Sequence, residues 1–313
     1  MKTYENIKTW REDIPALLPP ANRLQKGQVK EYYWNWQNHK VHMDYYPSPE
    51  STFRMILLHG VGGNGRLLSF IAAPLHRHRI ELLVPDLPGY GLTQINDKII
   101  TYNLWVNMVK DLLVFEQSRD QRPIVLFGLS AGGMLAYQAA CINQQVKGII
   151  ATTLLDQRHP EVRKYSALYP WMAKLMGPVV KAASTLLPGL KIPMKRLANM
   201  KAIVNNTQLL NKLINDPTSS GTSVSLAFVN TLLEMKPAIE PEDFTICPML
   251  LVHPEKDLWT PVSISLLFFN RLRQIEKKLV ILKNAGHFPI ENPGIQQLET
   301  SIINFTKKTG CFQ

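Results

Sequence analysis

The chain has 313 residues, of which 45% are hydrophobic and 19% charged, and its formal net charge at pH 7 is +11. A chain of this length and apolar content can bury a sizeable core, which excludes a disordered protein and favours one large domain with room for an insertion. The three cysteines, Cys141, Cys247 and Cys311, show no CxxC spacing, so neither a disulfide framework nor a structural zinc site is expected.

The amino-terminal residues 1–6 run into polar and charged residues rather than into an apolar stretch. We therefore expect no secretory signal peptide. No segment reaches the roughly eighteen uninterrupted apolar residues that a membrane-spanning helix needs. Together these features predict a soluble, cytoplasmic protein.

Two aromatic-rich runs, 30–36 and 40–46, alternate in polarity with a period of two and predict an antiparallel hairpin. The pattern then changes to short continuous apolar runs, which are typical of strands buried on both faces of a parallel sheet. These runs cover 55–58, 80–84, 124–127, 146–151, 249–252 and 279–282.

Segments with helical spacing lie between the apolar runs. The clearest covers 101–118, where apolar residues recur about every 3.6 positions and Thr101 is a suitable N-cap. Further helices are predicted over 131–143 and over 293–307, the latter with Pro in its first turn. Strands that alternate with helices imply an α/β fold, with a mostly parallel sheet covered on both faces. In such sheets functional groups collect at the carboxyl ends of the strands.

The sequence GLSAG at 128–132 directly follows one apolar run and opens a predicted helix. This is the G-x-S-x-G pattern in its informative context of strand, sharp turn and helix. The turn strains the serine backbone, and glycines on either side remove the side chains that would collide. We therefore predict that Ser130 is an exposed nucleophile at a helix N-terminus.

A serine hydroxyl needs a base to take its proton, and the candidates are histidines. His39 and His42 lie in the predicted hairpin, and His76, His78 and His159 lie in surface-like or inserted segments. His287, in contrast, follows the last strand run, where a loop would emerge at the active edge. It is the predicted general base.

The imidazole in turn needs a carboxylate that fixes its tautomer and stabilises its protonated form. Asp257 follows the penultimate strand run and should reach the same edge, so it is the predicted acid. The competing interpretation of Asp257 is an ordinary turn residue. Asp156, at the end of the run that begins at residue 146, is the rival candidate for the acid.

The glycine-rich sequence HGVGGNG at 59–65 follows the first central strand. Such a loop can turn back over the nucleophile, so that the N–H of Val61 points at a developing oxyanion together with the N–H of Ala131. A phosphate-binding loop is the alternative, but no G-K-[ST] follows.

Between residues 156 and 243 the strand-and-helix rhythm stops, and short apolar stretches are interrupted by prolines. This predicts a helical cap inserted between a first core part, 1–155, and a second core part, 244–313. From Arg158 to Lys201 the cap contains nine Lys or Arg residues and one acid, Glu161. Our hypothesis is that it admits a fatty-acyl chain and that its cations contact anionic lipid surfaces. A cap with a solvated basic face is the alternative.

Several short motifs occur in a characteristic order: LHG at 58–60, DLPGYG at 86–91, GLSAG at 128–132, then Asp257, then GHF at 286–288. In this combination the chain resembles the α/β-hydrolase family from about residue 55 to the C-terminus, apart from the cap. The resemblance implies the α/β-hydrolase fold and the triad roles of Ser130, Asp257 and His287. It also implies a structural role for Asp86. Dehalogenase and epoxide-hydrolase reactions are disfavoured because those relatives have Asp at the nucleophile position.

Within the family the chain is similar to monoacylglycerol lipases and lysophospholipases. This implies hydrolysis of carboxylic esters with medium or long acyl chains through an acyl-enzyme on Ser130. Acyltransfer and cleavage of thioester, peptide or carbon–carbon bonds use the same triad and stay open, as does a catalytically silent binding protein. No cofactor and no metal is expected. The pI is about 9.5, but the sequence contains no recognised nucleic-acid-binding motif, so nucleic acid is not an expected partner. The expected partners are an ester or lipid substrate and an anionic membrane.

Overall fold

The computed structural model describes residues 1–169 and 171–311. Outside the described residues lie Pro170, which belongs to the predicted cap, and Phe312 and Gln313, which end the predicted second core part. The side chains of four cap residues are also outside the description: Met172, Lys174, Leu175 and Met176.

Ten strands form two sheets in the described part of the chain. They are β1 (Lys30–Trp36), β2 (His39–Tyr46), β3 (Arg54–Leu58), β4 (Glu81–Pro85), β5 (Ile124–Gly128), β6 (Val146–Ala151), β7 (Lys191–Pro193), β8 (Ser223–Ser225), β9 (Met249–Pro254) and β10 (Lys277–Leu282). The large sheet has the order β1-β2-β4-β3-β5-β6-β9-β10, and β7 pairs with β8 in a small separate sheet.

The large sheet is antiparallel at one end and parallel elsewhere. β1 and β2 form the predicted hairpin, and β2 is antiparallel to β4. The pairs from β4 to β10 are all parallel. Every residue of β3, β4 and β5 is buried, as expected for apolar strands covered on both faces. The predicted α/β-hydrolase fold, with a mostly parallel sheet, is therefore confirmed.

Ten α-helices accompany these strands in the described residues. They are α1 (Ile14–Leu17), α2 (Ser69–Arg77), α3 (Tyr102–Arg119), α4 (Ala131–Ile142), α5 (Pro160–Ser166), α6 (Met172–Leu186), α7 (Thr207–Leu213), α8 (Leu226–Glu234), α9 (Val262–Phe269) and α10 (Gly294–Lys308). The hydroxyl of Thr101 accepts a 3.2 Å hydrogen bond from the Leu104 N–H and caps α3 as predicted. Among these helices none is both long enough and apolar enough to cross a bilayer.

The segment between β6 and β9 contains α5 to α8 together with the small β7–β8 sheet. None of its described strands joins the large sheet. Helices α6 and α8 pack against each other, and α8 also packs on α3 of the core. We call residues 156–243 the inserted segment.

Three expectations about the elements need correction. β10 was expected to be buried on both faces, but it is an edge strand, and Leu279 is 37% exposed. Pro293 is the N-cap of α10 rather than a residue of its first turn. Helices α2 and α9 were missed because α9 is apolar almost throughout, which removes the periodic signal, and α2 contains Pro74.

Candidate active site

Four loops meet at one edge of the sheet because the parallel strands that precede them all end there. β3, β5, β9 and β10 run in the same direction, and β6 lies between β5 and β9. The loops after these strands carry Val61, Ser130, Asp257 and His287, respectively. All four sequence-predicted positions therefore reach the carboxyl edge of the sheet.

Ser130 sits in a strained turn between β5 and α4. Its backbone angles are φ 56° and ψ −125°, a conformation that non-glycine residues rarely adopt. The turn is so tight that a Cβ on Gly128 would lie 2.1 Å from the Gly132 carbonyl oxygen, and one on Gly132 would lie 2.2 Å from the Leu58 oxygen. The Ser130 N–H donates to Thr152 Oγ1 at 2.9 Å. Close backbone packing and the hydrogen bond to the Thr152 hydroxyl thus hold the serine in place.

The three side chains predicted to act together are in hydrogen-bond contact. His287 Nε2 lies 2.9 Å from Ser130 Oγ, and His287 Nδ1 lies 2.8 Å from Asp257 Oδ2. The side chains of His287 and Asp257 are 2% and 1% exposed. A hydrogen-bonded pair that is almost fully buried keeps the imidazole oriented toward the hydroxyl. This is the geometry that a general base requires.

Asp257 is held by more than the histidine. Its Oδ1 accepts hydrogen bonds from the N–H groups of Trp259 and Thr260, both at 2.8 Å, and its Oδ2 accepts from Thr260 Oγ1 at 2.9 Å. Burial alone would raise the pKa of Asp257, but the His287 charge and these hydrogen bonds hold the pKa below its ordinary value. The carboxylate therefore stays ionised and can stabilise an imidazolium.

Asp156, the rival acid, has other partners. Its carboxylate accepts from the Arg158 guanidinium at 2.7 to 3.2 Å, and it lies 4.0 Å from Arg271. Arg158 also donates to Glu240, at the other end of the inserted segment. Asp156 thus belongs to an ion-pair network that joins the two ends of that segment, and Asp257 is the carboxylate in contact with His287.

The loop that carries Val61 packs directly on the serine turn. A Cβ on Gly60 would lie 2.9 Å from both the Leu129 oxygen and Ser130 Cβ. Val61 and Ala131 both line the cavity that contains Ser130. This location is consistent with the two residues serving as oxyanion donors, an assignment that stays a prediction.

His59 anchors this loop. One ring nitrogen, Nδ1, lies 2.8 Å from the Gly60 oxygen, and Nε2 accepts from the Leu87 N–H at 2.9 Å. These partners require the neutral tautomer with the proton on Nδ1. Burial lowers the pKa of His59 to about 4, so the ring stays neutral and acts as a fixed support.

Residues of the inserted segment also form hydrogen bonds with the loop that carries Val61. Ser220 Oγ donates to the Gly62 carbonyl oxygen at 2.7 Å. The Thr218 hydroxyl accepts from Asn64 Nδ2 at 3.1 Å and from Trp10 Nε1 at 3.0 Å, and it donates to Asp216. The amino-terminal segment, the loop and the inserted segment are therefore joined at one threonine.

An apolar cavity opens beside Ser130. Its volume is about 740 Å³, counting the part open to solvent. The core contributes Val61, Tyr102, Ser130, Ala131, Met134, Leu155 and Trp259 to its wall, and the inserted segment contributes Gln157, Ser166, Met194, Leu197, Ala198, Phe228, Val229, Leu232 and Leu233. The core and the inserted segment therefore form the cavity together.

A buried charged cluster lies behind the site. His42 lies 2.9 Å from Glu31 and 3.0 Å from Asp86. Burial alone would lower the pKa of His42, but these two carboxylates raise the pKa to about 10. Asp86 also accepts from the Tyr4 hydroxyl and from the N–H groups of Gly65 and Leu92, which agrees with the structural role expected for it.

Among the described residues, three side chains of this cluster have ligand atoms close enough together to hold a metal ion: Glu31, His42 and Asp44. Arg66 already donates to Asp44 at 2.6 and 3.0 Å and lies 3.0 Å from Glu31. The positive charge that these carboxylates need is therefore supplied by side chains of the protein.

Sequence reasoning missed three residues around the triad. Thr260 and Thr152 fix Asp257 and Ser130 through the hydrogen bonds described above. The ring of Trp259 packs 5.0 Å from the ring of His287, measured between centroids. For Thr260 a partial signal existed, because it lies three positions after Asp257, and Asp side chains in turns commonly accept hydrogen bonds from backbone N–H groups just beyond them. Thr152 lies 22 positions from Ser130 and gave no local signal.

Comparison with protein-family models matches residues 49–293 to Hydrolase_4, described as serine aminopeptidase, S33. A thermostable monoacylglycerol lipase from a Bacillus species is 23% identical over 259 residues, which cover 82% of this chain and 91% of that protein.

Two solved structures illustrate the similarity in fold. A soluble variant of monoglyceride lipase from Saccharomyces cerevisiae, in complex with a substrate analogue, superposes with a TM-score of 0.73 at 17% identity and covers 93% of this chain and 99% of its own. A monoacylglycerol lipase from Paleococcus ferrophilus gives a TM-score of 0.68 at 18% identity, with coverages of 86% and 99%. At this level of identity the structures establish the shared fold.

Proposed function

Because the chain belongs to the Hydrolase_4 family, described as serine aminopeptidase, S33, we propose that it is a serine hydrolase that cleaves carboxylic esters through an acyl-enzyme on Ser130. The observation that carries the proposal is the contact chain from Ser130 Oγ through His287 to Asp257, with distances of 2.9 and 2.8 Å. This is the arrangement that activates a serine hydroxyl at neutral pH.

The proposed reaction has two halves. His287 Nε2 takes the Ser130 proton as Oγ attacks the ester carbonyl, and the N–H groups of Val61 and Ala131 stabilise the resulting oxyanion. His287 then gives the proton to the leaving alcohol, which leaves the acyl group on Ser130. A water molecule activated by His287 releases the acid and restores the serine. Throughout, the Asp257 carboxylate accepts a hydrogen bond from the protonated Nδ1 and stabilises the positive charge of the imidazolium.

The proposed acyl-binding region is the apolar cavity beside Ser130. Met134 of the core and Leu197, Val229 and Leu232 of the inserted segment are among the side chains that line it. Burial of each acyl methylene against such a surface stabilises the complex by about 0.8 kcal/mol. This supports medium or long acyl chains, as in monoacylglycerols or lysophospholipids, and it agrees with the activity named for the Bacillus relative.

The family description raises aminopeptidase activity as the second candidate. An aminopeptidase must pair the free α-ammonium group of its substrate, because an unpaired buried charge is costly. The described residues that line the cavity include no Asp or Glu. The cavity therefore favours a neutral acyl group over a charged amino-terminal residue.

A substrate panel tests this choice. We expect monoacyl glycerol and p-nitrophenyl esters from butyryl to palmitoyl to be hydrolysed with kcat/KM at least about 100-fold above that for aminoacyl p-nitroanilides. Matching thioesters and added alcohol acceptors distinguish thioesterase and acyltransferase activity. Faster cleavage of the aminoacyl anilides would contradict the proposal, as would best turnover on acetyl esters.

The inserted segment, residues 156–243, is proposed to be a cap that also contacts anionic lipid surfaces. Several of its apolar side chains are exposed by 49% to 81%, namely Tyr169, Trp171, Val179, Leu186, Leu187 and Leu190. Lys191, Lys195 and Arg196 are exposed in the same segment. Exposed apolar residues together with basic ones are typical of surfaces that bind anionic membranes.

Vesicle sedimentation tests the membrane proposal. We expect the wild-type protein to bind phosphatidylcholine vesicles that contain phosphatidylglycerol, and the combined variant Trp171→Ser, Leu186→Ser and Leu187→Ser to bind at least about tenfold more weakly. Val114→Ser is the control, because Val114 is 56% exposed on α3 of the core. Equal loss of binding in the control, or no binding by the wild type, would refute the proposal.

A further inference from the structure

Helix α8 borders two cavities. Towards its C-terminal end, Val229, Leu232 and Leu233 line the cavity beside Ser130. At its N-terminal end, Ser225 lines a second cavity of about 670 Å³, again counting the part open to solvent. The chain that leads into α3 follows the same course, since Ile100 lines the second cavity and Tyr102, the first residue of α3, lines the first. The two cavities are therefore adjacent, and both are bordered by α8 and by the chain around the start of α3.

Phe228 is the residue that the two cavity walls share in the described part of the chain. Its side chain is 2% exposed. The ring lies 6.2 Å from the Tyr102 ring, nearly perpendicular to it, and 4.9 Å from the Trp105 ring, measured between centroids. An aromatic partition thus stands between the two spaces.

Hydrogen bonds on both sides fix this partition. Ser225 Oγ donates to the Ile100 carbonyl oxygen at 2.6 Å and accepts from the Phe228 N–H at 3.0 Å. The Tyr102 N–H donates to Thr231 Oγ1 at 2.9 Å. Because α8 is hydrogen-bonded to the start of α3 and to the residues just before it, on either side of Phe228, the backbone that carries the ring is held in place.

The second cavity has a mixed wall in which polar surface exceeds apolar surface. Ile100, Val224 and Phe228 form apolar parts of its wall, while the exposed residues Asp97, Lys98 and Lys191 mark its solvent side. Phe228 packs on Tyr102 and Trp105 and is also part of both cavity walls. A smaller side chain at this position would therefore be expected to join the two cavities.

We propose that Phe228 sets the longest acyl chain that the active-site cavity accepts, by closing that cavity against the second one. The inference rests on the ester hydrolysis proposed above. A chain that extends from Ser130 towards α8 ends against the Phe228 ring. A smaller residue lets the chain continue past α8 towards Lys98 and Lys191, and a larger one shortens the available space.

The test measures kcat/KM for a series of monoacyl esters from butyryl to stearoyl. We expect Phe228→Leu and Phe228→Ala to move the optimum to longer chains and to raise kcat/KM for the longest ester by about tenfold or more, with butyryl ester changed by less than about threefold. Phe228→Trp is expected to move the optimum to shorter chains. Phe228→Leu keeps the measurement possible should Phe228→Ala fail to fold, which thermal unfolding reports.

Phe244→Leu is the matched control. Phe244 is equally buried, packs 4.7 Å from the Tyr137 ring and lines neither cavity. We expect a similar loss of thermal stability with an unchanged chain-length profile. An unchanged profile in folded Phe228→Leu, or an equal shift in Phe244→Leu, overturns this inference alone. Absence of any ester hydrolysis by the wild type overturns the proposed function and this inference with it.

Discussion

Replacement of Ser130 by Ala is expected to lower kcat for ester hydrolysis by at least about ten-thousand-fold. Alanine has no hydroxyl to attack the carbonyl, so no acyl-enzyme forms and His287 has no proton to accept. The alanine methyl fits the space that the serine side chain occupies, and the turn held by Gly128 and Gly132 keeps its backbone contacts. The measurements are steady-state kinetics on a monoacyl ester and intact-mass detection of labelling by a fluorophosphonate probe.

Ser166→Ala is the matched control for this experiment. Ser166 lines the same cavity, but its hydroxyl accepts a hydrogen bond from Gln157 and is not in contact with a base. We expect this variant to be labelled and to keep kcat within about threefold of wild type, since the change removes one neutral hydrogen bond, worth about 1 kcal/mol, that does not involve the reacting atoms. Labelling of Ser130→Ala, or activity within tenfold of wild type, would remove Ser130 from the mechanism.

Asp257→Asn is expected to lower kcat by about ten-thousand-fold, while the KM for the ester changes little. The amide N–H of Asn can donate a hydrogen bond to His287 Nδ1, so the ring proton would reside on Nε2. That nitrogen could then no longer accept the Ser130 proton. The amide also carries no charge to stabilise the imidazolium. The measurement is kcat at saturating ester across pH 6 to 9, together with thermal unfolding to establish that the variant is folded.

Asp156→Asn is the comparison that separates the two carboxylates. Because Asp156 is bonded to Arg158 and lies near Arg271, we expect this variant to lose stability but to keep kcat within about threefold, as when an ion pair distant from the reacting atoms is removed. If Asp156→Asn abolishes turnover and Asp257→Asn does not, Asp156 is the acid and the contact between Asp257 and His287 has another purpose.

The sequence indicated much of the site because the parallel sheet brings distant strand ends together. Ser130 and His287 are 157 positions apart, yet each follows a short apolar run, and neighbouring parallel strands end at one edge. The glycines at 128 and 132 indicated the strained turn because a Cβ at either position would collide with backbone. These are local signals whose three-dimensional meaning is fixed by the fold.

Other features depend on contacts that leave no local signal. Tyr4 reaches Asp86 across 82 positions, and Trp10 reaches Thr218 across 208. Neither residue lies in a recognisable pattern, so the buried cluster and the junction at Thr218 could not be predicted. The role of Asp156 was equally hard to predict, because it follows a strand just as a triad acid does. Only the three-dimensional structure shows that it forms a salt bridge with Arg158.

The hydrogen bonds at Thr218 and Ser220 restrict how a substrate can enter. Lifting this part of the inserted segment as one lid would detach Ser220 from Gly62 and Thr218 from Asn64, and it would thereby loosen the loop that carries Val61. An opening at that end would therefore disturb the loop whose Val61 N–H is the proposed oxyanion donor. We expect substrate to enter instead at the other end of the inserted segment, where α5 and α6 lie, because an opening there leaves this loop in place.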